Sequence, residues 1–168
     1  MCLPCPIGTY SKSGKAKCMK CKSGTFANET GMDACLQCKA GFYQPLTGQS
    51  SCMKCKAGTY SQAGAAKCIP CPEGRFQPKD SQSTCLDCPR GMYAKTTASI
   101  NCKPCGKNTY QDEPGQNECK KCGPGNRSKP GSHHCFTCKA GYEIGRIKFE
   151  GSGEAGATSI GPLFKVNF

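Results

Sequence analysis

The sequence predicts a small disulfide-rich repeat fold: short β-hairpin-like loops stacked into an elongated rod, with little regular secondary structure and no ordinary hydrophobic core. Three observations predict it. Nine Cys-x-x-Cys pairs begin at Cys2, Cys18, Cys35, Cys52, Cys68, Cys85, Cys102, Cys119 and Cys135, each 16 or 17 residues after the last, and together they hold all 18 cysteines. A glycine and an aromatic ring recur in register with the pairs. Leu, Ile, Val and Phe together make only 19 of 168 residues; below about 20% of such residues a chain needs something besides burial to hold it. Cysteine, almost as frequent as those four together, supplies it through cross-links. A fixed period means one unit copied many times, so the array is read before any single residue.

The unit runs from the second cysteine of one pair to the first of the next. Cys5-Pro-Ile-Gly-Thr-Tyr10, Cys21-Lys-Ser-Gly-Thr-Phe26 and Cys38-Lys-Ala-Gly-Phe-Tyr43 open the first three. The glycine three residues after the cysteine becomes Asn108 in the seventh unit. Asn is the next-best residue after Gly for a left-handed backbone, so this site wants positive φ, as at the third position of a type II turn. Seven rings follow two residues later: Tyr10, Phe26, Tyr43, Tyr60, Phe76, Tyr93 and Tyr110. In a chain this poor in aliphatics they are expected to form the core, each on its own disulfide. A second glycine, replaced by Ser81 and Ala98 in two units, lies four residues before the closing cysteine. Each unit is therefore two extended segments around a polar turn, too short for a helix.

Such a loop has a cysteine at each end, which suits closure on itself: Cys5–Cys18, Cys21–Cys35, Cys38–Cys52, Cys55–Cys68, Cys71–Cys85, Cys88–Cys102, Cys105–Cys119 and Cys122–Cys135. Cys2 and Cys138 are left over at the ends. Interlaced pairing, first cysteine with third and second with fourth, is equally compatible with the spacing. So is a different chemistry: two pairs with 12 or 13 intervening residues come close to a four-cysteine zinc site, and an intracellular zinc-binding array is the alternative reading. It would strand one pair and leave the glycines and rings unexplained. Thioredoxin-like redox chemistry uses one such motif inside a βαβ fold, so nine copies without that fold do not suggest an enzyme.

The unit Cys-Pro-x-Gly-Thr-Tyr, followed by Gly-x-x-x-Cys-x-x-Cys, resembles the ephrin-receptor-like cysteine-rich repeat of the growth-factor-receptor and tumour-necrosis-factor-receptor superfamily. The resemblance covers residues 1–141 as about eight tandem units. In the receptor modules a like segment closes on itself with one disulfide. The resemblance implies an extracellular or cell-surface rod, a structural or protein-binding segment of a larger secreted or surface protein (adhesion, receptor ectodomain or spacer), with extracellular protein partners, no cofactor, no nucleic acid and no catalysis. The receptor kinase domain is absent from this sequence. The eighth unit departs from the pattern, because Cys122-Gly-Pro-Gly-Asn-Arg127 has no ring in place.

The chain carries 23 Lys+Arg against 11 Asp+Glu. A field of that sign favours acidic partners, glycosaminoglycan among them, and also keeps such a surface soluble. Lys20, Lys54, Lys103, Lys120 and Lys121 lie between paired cysteines, with Lys22 and Lys56 directly after; they form the candidate polyanion edge. Asn28-Glu-Thr30 and Asn126-Arg-Ser128 fit the N-glycosylation sequon, and both are expected in loops. His133-His134 reads as an exposed turn rather than a metal cluster. No stretch approaches the roughly 20 apolar residues that span a bilayer. The array opens inside a repeat without a secretory signal, so the chain is expected to be a piece of a longer protein. Residues 142–168 leave the pattern and read as a flexible tail or the start of another domain.

Overall fold

The computed structural model describes residues 2–137. Cys138 and the tail at 142–168 lie outside the described residues. Eight disulfides close eight successive loops on themselves: Cys5–Cys18, Cys21–Cys35, Cys38–Cys52, Cys55–Cys68, Cys71–Cys85, Cys88–Cys102, Cys105–Cys119 and Cys122–Cys135. Their Cα–Cα separations of 5.6–5.8 Å are those of ordinary disulfides. The sixteen sulfurs are therefore bonded to one another, and no group of metal-ligating side chains occurs among the described residues. The loops are units 1 to 8 below.

Each unit holds one two-stranded antiparallel pair, such as Thr9–Tyr10 with Met19–Lys20 in unit 1. No helix occurs among the described residues. The strand stops at two residues because a turn precedes it and a disulfide follows. In unit 1 the amide of Thr9 donates to the carbonyl of Pro6 at 3.0 Å across Gly8, whose φ is +84°. That is a type II turn, as the Asn108 substitution implied. The Thr9 hydroxyl donates to the same carbonyl, and Thr25, Thr59 and Thr109 repeat the arrangement.

Units dock through their backbones. At the first junction Gly8 N donates to Ala27 O, Ser11 N to Met32 O, and Gly31 N to Cys5 O, at 2.8–3.1 Å. The same set recurs at the later junctions, for example Gly58 N to Gln77 O, Ser61 N to Gln82 O and Ser81 N to Cys55 O. The second-neighbour unit also touches. The tip of unit 3 at Gly48 lies over Gly8 of unit 1 so closely that a Cβ on Gly8 would sit 2.1 Å from the Gly48 carbonyl oxygen. Gly24 meets Gly64 in the same way, Gly41 meets Ser81, and Gly58 meets Ala98. The turn glycine thus answers two demands, positive φ and the absence of a Cβ. Asn108 (φ +62°) meets only the first. The unit two places on from Asn108 begins at Cys138, outside the described residues.

Ser81 and Ala98 keep the left-handed conformation of the glycines they replace, at φ +60° and +57°. Docking dictates this. Each amide donates at 2.8 Å to a cysteine carbonyl of the preceding unit, Cys55 or Cys71. Holding a residue with a Cβ there costs about 1–2 kcal/mol.

The core differs from the expectation. The rings are only half-buried. What is buried is the cysteine that opens units 1 to 7, with Cys21, Cys38, Cys55, Cys71, Cys88 and Cys105 at 0% exposure, and in units 2 to 8 the residue after the ring position, Ala27, Gln44, Ser61, Gln77, Ala94, Gln111 and Ser128, while Ser11 is half-buried. That residue is small or an internal brace. Ser61 donates its hydroxyl to the Phe42 carbonyl of the unit before, and Ser128 does the same to Thr109. Gln44, Gln77 and Gln111 each donate to a carbonyl seven residues on and accept from the amide two residues on. Ser occupies this place in loops with a Cys–Cys separation of 13, Gln or Ala where it is 14. A loop this short cannot wrap a ring, so backbone and sulfur fill its centre.

Candidate functional site

With the interior made of backbone and sulfur, the outward side chains are free to vary, and they fall into rows. One row is the rings with their cross-strand partners. In units 1 to 5 the pairs are Tyr10–Met19, Phe26–Leu36, Tyr43–Met53, Tyr60–Ile69 and Phe76–Leu86. In units 6 and 7 the partner becomes a lysine, Tyr93–Lys103 and Tyr110–Lys120. Unit 8 reverses the pair, with Arg127 facing Phe136. The ring missing from unit 8 is therefore supplied by the facing strand, and the loop closes like the others. The rings of Tyr43 and Tyr93 line shallow grooves beside Cys68 and Cys119, each half of the next unit's disulfide. At these two rings the neighbouring unit's disulfide joins the surface expected to be the unit's own.

The lysines between paired cysteines divide between two faces, because successive strand residues point oppositely. Lys103 and Lys120 stand on the ring face. Lys20, Lys54 and Lys121 pair with Thr9, Phe42 and Thr109 on the other. The stem of Lys20 runs toward the tip of unit 3, where a Cβ on Gly48 would lie 3.3 Å from its Cδ. Lys22 and Lys56 open the type II turns of units 2 and 4 and are exposed. Acidic partners are unevenly spread. Arg75–Asp87 at 2.6 Å and Lys120–Asp112 at 2.7 Å lie in units 5 to 7, and Lys56 is only loosely paired with Asp80 at 4.0 Å. The hydrogen bond from Lys120 holds Asp112 below the usual carboxylate range and raises the Lys120 ammonium above the usual lysine value.

Asn28 is exposed at the tip of unit 2. Asn126 is not in a loop as expected: it lies in the strand Asn126–Arg127, its side-chain oxygen accepts from the Thr137 hydroxyl, and Ser128 of its sequon is buried. His133 and His134 are exposed neighbours with ring centroids 4.6 Å apart.

The family model for tyrosine-protein kinase ephrin type A/B receptor-like repeats matches four times in tandem, at residues 8–40, 24–57, 58–101 and 93–133. The chain belongs to this family. These ephrin-receptor-like repeats are a structural and binding module, and the matches run through units 1 to 8. None of the curated proteins compared matches the chain. No helix among the described residues is long and apolar enough to cross a membrane.

The residues that sequence reasoning missed are those after the rings, from Ser11 to Ser128. Their signal was present: they are small or Gln in every unit and vary with loop length. A buried Gln reads as a surface residue until its hydrogen-bond partners are known.

Proposed function

We propose that the repeat region, residues 1–141, is a non-catalytic extracellular spacer that displays protein-binding and polyanion-binding side chains along a stiff stack, within a larger secreted or cell-surface protein. The observation that carries this reading is the docking pattern: each unit hydrogen-bonds to the next through its main chain and is covered by the one after that. A stack held this way gives every unit a fixed place relative to its neighbours whatever its outer side chains are. Sixteen disulfide-bonded cysteines support an oxidising, exported setting. Exposed Asn28 is the better placed of the two sequons for a glycan.

Small-angle scattering on chains that end after units 4, 6 and 8 tests the spacer. The maximum dimension should rise by a constant increment per unit, with a cross-section radius that stays fixed. Dimensions that level off with added units would sink this reading, because the array would then be folding back on itself.

A further inference from the structure

The basic candidates are not equivalent along the stack. The residue that opens the type II turn is Lys22, Lys39 and Lys56 in units 2, 3 and 4, but Pro72, Pro89 and Gly106 in units 5, 6 and 7. Consecutive units dock through the same main-chain hydrogen bonds, so the three exposed ammonium groups are related by one repeated unit-to-unit step on adjacent units, and the series then ends. Acids are scarce in this part of the sequence: residues 1–71 hold nine lysines and only Glu29 and Asp33, with Asp80 of unit 5 reaching Lys56 loosely at 4.0 Å.

The two ring grooves make the contrast sharper. Tyr43, Lys54, Lys56, Thr59 and Cys68 line one, of about 290 Å³. Tyr93, Gly106, Thr109, Glu118 and Cys119 line its counterpart three units on, together with Lys95. Ring, threonine and disulfide are the same in both. Around them Lys56 becomes Gly106, and the place before the closing cysteine changes from Lys67 to Glu118. One scaffold therefore carries a cationic groove at units 3 and 4 and a largely neutralised one at units 6 and 7.

We propose that units 2 to 4 bind a sulfated glycosaminoglycan, with Lys22, Lys39 and Lys56 along the polymer and the Tyr43–Lys56–Thr59 groove holding one sugar ring. Ammonium groups that recur by one repeated step suit a linear polymer with regularly spaced anions. An aromatic face beside a hydroxyl and the Lys56 ammonium suits a sulfated pyranose, whose C–H face packs on the ring while its sulfate meets the lysine. Lys103, Lys120 and Lys121 are outside this site. The inference rests on the extracellular reading above, but its test is independent of it.

Four forms of the protein are run on immobilised heparin and on a plain sulfonate exchanger: wild type, Lys22→Ser/Lys39→Ser/Lys56→Ser, Lys103→Ser/Lys107→Ser/Lys121→Ser, and Tyr43→Ala. Wild type should leave heparin well above physiological salt, about 0.15 M. The first triple variant should bind a heparin oligosaccharide about tenfold more weakly, with a shallower salt dependence as ion contacts are lost. The second, with the same change in net charge, should stay close to wild type. Tyr43→Ala should lose about fivefold on heparin and be unchanged on the sulfonate resin. Equal losses in the two triple variants, no effect of Tyr43→Ala, or release of wild type near physiological salt would overturn the proposal. So would equal affinity for phosphatidylserine vesicles, which would assign the row to a membrane surface. Loss of heparin binding by a protein whose scattering still grows unit by unit would sink the site and leave the spacer standing.

Discussion

Gly24→Ala should cost about 4 kcal/mol of stability, while Gly14→Ala should cost about 1 kcal/mol. Both glycines have nearly the same left-handed φ, +79° and +77°, so both variants carry the same backbone strain of about 1–2 kcal/mol. They differ in what a Cβ would meet. At Gly14 nothing lies within 4 Å, whereas at Gly24 the carbonyl oxygen of Gly64 would be 2.0 Å away. The obstacle is backbone and cannot rotate aside. Moving it would stretch the bond from Gly64 N to Cys38 O, now 2.8 Å, which links units 4 and 3 and contributes about 1 kcal/mol. Denaturant midpoints of the two variants check this. Equal losses at both sites would mean that second-neighbour docking does not matter to the fold.

Replacing both Cys71 and Cys85 by alanine should open unit 5 and divide the array at its middle. The bond closes a loop with a sequence separation of 14, for which chain entropy alone gives about 3 kcal/mol. Cys71 is fully buried, and its amide and carbonyl bind Gly58 of unit 4 and Ala98 of unit 6. The measurement is tryptic cleavage after Lys79, on the exposed stretch beyond the ring. Cleavage through local opening should accelerate about 100-fold, the equivalent of about 3 kcal/mol. Removing Cys5 and Cys18 should leave that rate unchanged, because nearest-neighbour stacks lose only the end that is touched. A cleavage rate unaffected by the Cys71 and Cys85 substitutions would show that backbone docking holds the loop without its disulfide.

What was legible in the sequence was whatever repeats as chemistry. The cysteine period, the positive φ at Gly8 and its equivalents, and the polar tip all follow from residue types that have one dominant physical reason to recur. The rings depart from the expectation because apolarity does not by itself dictate burial in a loop this small. In a loop braced by Ser61 or Gln44 the interior is already full, and Tyr60 or Tyr43 is left to cover the seam. The contact between a turn and the tip two units on was not legible. It is made by main-chain atoms, and its one trace is that glycine holds the turn in each of units 1 to 6. The basic edge was legible as composition but not as geometry, because strand alternation sends Lys120 and Lys121 to opposite faces.

The central claim is that each Cys-x-x-Cys is a seam between two self-closed loops. Trypsin digestion of the unreduced protein in denaturant, with free thiols blocked, tests it most directly. Lys20, Lys54 and Lys121 each stand in a seam immediately before a cysteine. Self-closed loops predict that cutting there releases separate disulfide-closed blocks covering residues 1–20, 21–54 and 55–121. Because trypsin also cuts after Lys22 and Lys56, interlaced pairing, with Cys5 bonded to Cys21 and Cys38 to Cys55, would leave the dipeptides Cys21-Lys22 on the first block and Cys55-Lys56 on the second, and their release from those blocks by reductant would contradict the account.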